Sequence, residues 1–540
     1  MQGLYALLSL CLPFTALLAQ ANTIPGLDLQ LLDTWAIAAF QRAGSYPAGK
    51  SAIGVITTCC NPGSVAVPFQ AAMNPDHGFI HYIVAREADG RLEQISDWSY
   101  IKHTFGSSNN NSTCGPCAGQ GNSSYVEVGC SDTYGNYQAV DHFNMGPPEE
   151  LDPWLGTWVP QCSYFDQGDP PVAPNQTCDG IRSLTHAQAS VLNLGVHHQV
   201  QVRDQDLLTP GARWYWQAGY IVPSEADAER DNNLGSREFF PTWNGSGFDM
   251  GDGPAMLQGT ILQRWNGAAI SSASNGNDDG RFYVAVKVTG PANGVYHYEY
   301  AVHNRDNGRG MAAFHVPMCG SARAWNFGFH DVDQDPLDDW IAQQIGNEVV
   351  WSTGSNPQRW NTLFNFWFDS DAAPVPGGSL VLDQAAIGPG ALSVSVLSVA
   401  PMGLYAQYLG SGCGAVTPPV LFADGRATIG NSGFVLRSAG NPAGVACGFV
   451  LTTTPGTTLL GGACSLYSAS WTGYLAPFMT IADAAGGGAM PLAIPNSPAF
   501  EGIDLDFQAA NIHAGGAFLG AFDLSNGLRV RVGSLIAGCP

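Results

Sequence analysis

Lysine is almost missing from this sequence. Lys50, Lys102 and Lys287 are the only ones in 540 residues, and Lys plus Arg number 21 against 44 Asp plus Glu. The formal net charge is −23, although only 12% of residues are charged. A surface without a basic footprint repels nucleic acid and anionic membrane alike, so neither is expected as a partner. Beyond the N-terminal region no segment reaches about 18 uninterrupted apolar residues, and no transmembrane segment is expected there.

The common catalytic signatures are also lacking. No G-x-S-x-G nucleophile elbow occurs, since Asn244-Gly-Ser-Gly-Phe248 and Gly430-Asn-Ser-Gly433 have the wrong spacing. There is no H-E-x-x-H for a zinc protease and no phosphate-binding G-x-x-x-x-G-K-[ST]. No strand carries His-x-His, which would set two imidazoles on one face. No glycine fingerprint follows a strand and opens a helix, which excludes a nucleotide cofactor. Helical patterns are scarce too. Leu27 to Arg42, Ser224 to Arg230 and Leu337 to Ile345 are the main candidates.

What is present points first to export. An apolar run from Leu4 to Leu12 is interrupted at Pro13 and leads to Ala19-Gln20-Ala21, the small-x-small pattern of a signal peptidase site. The predicted mature chain begins near Asn22 and is secreted, extracellular or cell-surface. Of 13 cysteines, Cys11 leaves with the signal, and the even remainder favours disulfide pairing. Cys114-Gly-Pro-Cys117 lies among Gly, Ser and Asn rather than at the start of a helix, so structural disulfides are expected rather than a redox pair. Cys59 and Cys60 should bond to different partners, because neighbours on an extended chain point apart.

The fold class expected is mainly β. Phe282 to Val288, Val295 to Val302 and Thr362 to Phe368 are short runs of aromatic and β-branched residues separated by turn signals. Ala372-Ala-Pro-Val-Pro-Gly-Gly378 reads as linker-like, and a strand is expected over Leu392 to Leu397. Past Cys413 charged residues nearly vanish. These patterns divide the chain into a signal peptide (1–21), a large disulfide-tied β-sandwich-like domain (22–400), a linker (401–412) and a small β-sandwich of immunoglobulin-like size (413–540). Gly129-Cys-Ser-Asp-Thr-Tyr134, Tyr296 to Asn304, Gly328 to Asp333 and Arg359 to Phe366 resemble segments of uncharacterised secreted bacterial proteins. The C-terminal region resembles β-sandwich modules appended to bacterial surface proteins. Neither resemblance implies a catalytic residue.

Two sets of side chains are candidate metal ligands. On the strand from Val295, side chains alternate faces, so His297 and Glu299 project together about 7 Å apart. With a third ligand from His330, or else His77, His81 or His103, they would hold zinc or copper. In Asp331-Val-Asp-Gln-Asp-Pro-Leu-Asp-Asp339, alternate carboxylates at Asp331, Asp333 and Asp335 suit calcium. The loop is no EF-hand, because Pro336 stands where Gly is needed and Ala342 where the bidentate Glu belongs. Glu87, Glu93, Asp97, Glu127, Glu238 and Glu299 are available as paired carboxylates for glycoside hydrolysis. Thirteen tryptophans precede residue 372, among them Trp98, Trp214, Trp216, Trp243 and Trp367. Flat rings stack on apolar sugar faces, although Trp214 and Trp216 share a strand face that reads as core. The function expected is binding of an extracellular polysaccharide or another cell-surface polymer. The alternatives are a metal-dependent extracellular enzyme built on His297, Glu299 and His330, and a structural envelope component.

Overall fold

The computed structural model describes residues 26–532 apart from short internal stretches, the longest being 168–177 and 471–477. The expected signal over 1–21, together with Cys11, Cys319 and Cys539, lies outside the described residues. Strands take 52% of the chain and helix 6%, so the mainly β reading holds. No helix among the described residues is long and apolar enough to cross a membrane.

The chain divides into two compact units, one of residues 1–88 and 95–261, the other of 89–94 and 262–540. In the first, one sheet runs in the order Gln30–Ala43, Lys50–Cys60, Cys130–Tyr134, Asn110–Asn111, with Val200–Arg203 also paired to Lys50–Cys60. Its companion sheet includes Ile101–His103, Phe79–Ala88, Arg213–Ile221, Leu234–Trp243 and Phe248–Asp252 in that order. The faces enclose Ile53, Val55, Tyr82, Trp216 and Phe239. Two buried bonds tie sheet to sheet, from Trp216 Nε1 to Thr34 Oγ1 at 2.8 Å and from the Tyr220 hydroxyl to Thr57 Oγ1 at 3.0 Å.

The second unit contains two separate cores. One lies between the sheet Ala269–Ser274, Arg281–Ala292, Val295–Asn304, Thr362–Ser370, Ala324–His330 and the sheet Ile341–Ile345, Glu348–Ser352, Met311–Pro317, Ala373–Gln384, Ser393–Gly403. The other is enclosed by strands between Val420 and Arg531 and centres on Phe434, Leu436, Phe449, Phe507 and Leu528. Where the sequence reads as one large domain over 22–400, the compact unit ends near residue 261. The Ala372 to Gly378 stretch is no linker. It begins the strand Ala373–Gln384, whose register slips between Ala373 and Val375 and again between Val375 and Gly378. Pro374 and Pro376, which cannot donate to a ladder, fall within those irregularities.

None of the three expected helices forms. Leu337 to Ile345 is a turn followed by the strand Ile341–Ile345, and Ser224 to Arg230 is irregular. Leu27 to Arg42 contributes to the 14-residue strand Gln30–Ala43. Its burial recurs every third residue at Leu31, Thr34 and Ile37, which is why it reads as a helix. Register shifts between Leu31 and Asp33, Trp35 and Ala38, and Ala39 and Arg42 are the cause. Each bulge adds a residue and flips the following side chain to the other face, turning a period of two into an apparent three.

Disulfides join Cys60 to Cys114, Cys117 to Cys130, Cys162 to Cys178 and Cys413 to Cys464. Cys114 and Cys117 therefore serve two structural bridges, not a redox pair. Full pairing fails, however, because Cys59 and Cys447 are buried free thiols. Cys59 points away from its bonded neighbour into the core, where burial pushes its pKa far up and leaves it an inert apolar group.

Candidate functional site

The strand Val295–Asn304 places its side chains as the alternation predicts. Tyr298, Tyr300 and Val302 are fully buried on the core face, with Tyr298 stacked on Phe368 at 5.1 Å. His297 and Glu299 project from the opposite face, and His297 Nε2 lies 3.2 Å from Glu299 Oε2. The third partner is Asp369, brought opposite His297 by the antiparallel register with Thr362–Ser370. Its Oδ1 is 2.7 Å from His297 Nδ1, and its Oδ2 accepts a bond from Asn326 at 3.0 Å.

Arg91 closes the array. Its Nε and Nη2 donate to the two oxygens of Glu299 at 2.5 and 2.9 Å, and its guanidinium lies 3.6 Å from the centre of the Trp367 ring. Gly328 makes room for that ring, since a Cβ there would stand 2.0 Å from two of its carbons. Both nitrogens of His297 and both oxygens of Glu299 are thus engaged within the protein. His330 faces Asn365, which faces Ala301, four positions along from His297. That offset amounts to about 13 Å along the strands and two strand spacings across them, beyond the reach of one ion. His330 Nε2 lies 3.7 Å from Glu93 Oε2. The expected His297, Glu299, His330 metal site therefore does not assemble.

The array favours the protonated form of His297. Hydrogen bonding to Glu299, and then to Asp369, raises the His297 pKa above its ordinary value against the opposing effect of burial. A raised folded-state pKa means that the stabilisation is complete below the ordinary imidazole pKa of about 6.5 and disappears as pH rises through the folded value. We predict that His297→Gln destabilises the protein more near pH 6 than near pH 9. The difference should be no more than about 1 kcal/mol, because the imidazole is about a third exposed and screened. Urea unfolding at the two pH values reads it. An equal loss at both would show that the charge on His297 contributes nothing.

The other histidine candidates lie in the first unit. His77 Nε2 meets His103 Nδ1 at 2.9 Å in a nest of aromatic rings that includes Phe79, Phe105 and Trp158. Burial pushes the pKa of His77 down to about 3 and that of His103 well below the ordinary value, so both are neutral packing groups. His81 is buried against Gly219.

The acidic loop gathers a different trio from the one expected. Ligand oxygens of Asp331, Asp333 and Asp338 lie within 4.8 Å of one another. Asp335 instead accepts the Leu337 N–H at 3.0 Å, one of three successive turns that include Asp331 to the Asp333 N–H and Asp333 to the Asp335 N–H. Desolvation, and then the Asp333 and Asp335 charges, raise the Asp338 pKa. The trio could hold a hard cation such as calcium, which takes six to eight oxygens and would draw the rest from water.

The first unit also holds a cavity. Its volume is about 400 Å³, and it is built from three separated segments, 97–100, 147–150 and 197–201. Asp97 and Trp98 stand on its wall; Gln201 holds Asp97 through its main-chain N–H to Oδ1 at 2.9 Å and its side-chain amide to Oδ2 at 2.8 Å. Burial raises the Asp97 pKa to about 7, against the bonds from Gln201 and the charge of Lys50. Tyr100 and His198 stack at 3.7 Å, and His197 and His198 bring their Nε2 atoms to 2.7 Å. Adjacent residues of an extended chain point apart, but His198 has φ +62°, and this left-handed turn lets the imidazoles meet. Glu149 and Glu150, at the end of Pro147-Pro-Glu-Glu150, complete the wall. Sequence reading supplies Asp97 and Trp98 as candidates but misses the other residues. The adjacent histidines and the Pro-Pro-Glu-Glu run are the only local signals.

The tryptophans divide sharply. Trp216, Trp265 and Trp351 are fully buried core residues, and Trp214 packs against the same core as Trp216. Trp243 carries Tyr46 stacked at 3.9 Å and Arg42 at 4.7 Å. Trp98 alone lines the cavity.

No family model matches the chain, and no curated protein does. Among solved structures, BcpA, the major pilin subunit of Bacillus cereus, matches at 9% identity and a TM-score of 0.17, covering 63% of this chain and 86% of that one. Escherichia coli alpha-2-macroglobulin activated by porcine elastase matches at 8% identity and a TM-score of 0.13, covering 92% and 35%. Likenesses this weak carry no argument about fold or function.

Proposed function

We propose that the protein is secreted or surface-associated and binds an extracellular glycan polymer, with the cavity around Trp98 as its sugar site. The cavity itself carries the reading. Its volume of about 400 Å³ falls in the range of small-molecule sites, and an indole beside a stacked Tyr100–His198 pair provides apolar ring faces. Asp97, Gln201 and the two imidazoles supply polar groups that orient a hydroxylated ligand. Four disulfides agree with work outside the cell.

Trp98→Ala should weaken retention on the preferred glycan at least tenfold, the size of effect expected of an aromatic anchor. Tyr46→Ala, on the separate Trp243 stack, should leave retention unchanged. A glycan array followed by titration of the best ligand provides the measurement. Absence of binding across neutral, acidic and amino-sugar polymers would defeat the proposal.

A further inference from the structure

We propose that the cavity around Trp98 selects sugars bearing a free, positively charged amine, an inference that rests on the cavity being the sugar site. Its wall presents three carboxylates, Asp97, Glu149 and Glu150, and neither Lys nor Arg is among the residues that line it. Lys50 acts on Asp97 from outside that lining. A uronic or sulfated sugar would bring a further anion against Glu149, Glu150 and, as pH rises through its raised pKa of about 7, Asp97, and such contacts are strongly disfavoured in a partly desolvated space. A neutral sugar would use the carboxylates only as ordinary acceptors. An ammonium would make charge-assisted hydrogen bonds with them, roughly twice as strong as neutral ones. It would also find the ring face of Trp98 beside it, where cations are attracted to the indole quadrupole.

The carboxylates differ in ways that suit this role. Asp97 is fixed in orientation by the two Gln201 bonds, at 2.9 and 2.8 Å. Glu150 Oε1 accepts the Tyr164 N–H at 2.7 Å, which anchors the short turn that bears both glutamates. Glu149 stands exposed at the rim, placed to meet a cation on entry. Within the His197–His198 pair one Nε2 donates and the other accepts, so these two nitrogens are engaged with each other.

The test is calorimetric titration of the full mature chain, near neutral pH, with three β-linked tetrasaccharides. These are glucosamine, N-acetylglucosamine and glucose oligomers of one length. The expected result is at least tenfold tighter binding of the glucosamine oligomer than of either neutral one. Asp97→Asn and Glu149→Gln should each reduce that preference several-fold, with a large loss of affinity for the glucosamine oligomer and a smaller one for the neutral oligomers. Glu149 is exposed, so its variant folds and keeps the test decisive even if Asp97→Asn does not. Equal binding of all three, or preference for a neutral oligomer, would overturn amine selection and leave the glycan reading standing. Amine preference undiminished in Glu149→Gln and Asp97→Asn would place the selectivity elsewhere and overturn it too. Failure to bind any of the three, together with an empty glycan array, would defeat the underlying reading and this inference with it.

Discussion

Trp351→Ala is expected to destabilise the second unit by about 3–5 kcal/mol, the range for removing a fully buried tryptophan. The indole is completely enclosed, with ring centres at 5.9 Å from Phe314, 5.5 Å from Phe366 and 5.8 Å from Phe368. It also bonds both sheets of its sandwich, because its Nε1 donates to the Gly328 carbonyl of the facing sheet at 3.0 Å. The substitution therefore removes a large apolar volume and leaves a half-buried carbonyl without its donor, two costs that add. Trp325→Ala is the control, since that side chain is more than a third exposed and should cost under about 0.5 kcal/mol. Urea unfolding followed by near-ultraviolet circular dichroism separates the two variants. A loss below about 1 kcal/mol for Trp351→Ala would contradict the tight packing described for this core.

The second large effect is expected at Arg91. Glu299 is 5% exposed, and Arg91 satisfies both of its oxygens. Removing one partner of an enclosed ion pair leaves an uncompensated charge, which costs about 3–5 kcal/mol in a fully buried setting. Arg91 is partly exposed, and His297 remains beside Glu299, so Arg91→Ala should cost nearer 2–3 kcal/mol. Arg91→Lys should recover little. An ammonium cannot bond both oxygens in a fork while lying flat on Trp367. The double substitution Arg91→Leu with Glu299→Leu should cost less than Arg91→Ala alone, because no orphaned charge remains. Additive losses in that cycle would show that the two side chains are not coupled. Gly328→Ala offers an independent check, since its Cβ would displace the Trp367 ring from beneath the guanidinium.

Both effects centre on contacts that sequence alone only half reveals. The alternation of Val295 to Val302 correctly separates a tyrosine face from a face bearing His297 and Glu299, because strand geometry imposes a period of two regardless of context. What meets that polar face is a matter of register. Pairing His297 with Asp369 rather than with His330 depends on which residues of Thr362–Ser370 align with Val295–Asn304, and on Arg91 reaching Glu299 from a segment 208 residues away. The proposed amine selectivity has the same character, since its carboxylates come from segments that begin at residues 97 and 147.

By itself, then, the sequence determined the mainly β class, the strands over Phe282 to Val288 and Val295 to Val302, the structural role of Cys114 and Cys117, and the absence of the familiar catalytic motifs. These follow from local alternation, turn chemistry and spacing, which act over a few residues. Tertiary structure alone decided the rest. Bulges in Gln30–Ala43 made a strand out of a helix-like pattern, and the path of the acidic loop brought Asp338 rather than Asp335 beside Asp331 and Asp333. The Trp98 cavity exists only because three distant loops converge, and long-range convergence is fixed by the packing of whole sheets rather than by any property of the loops themselves.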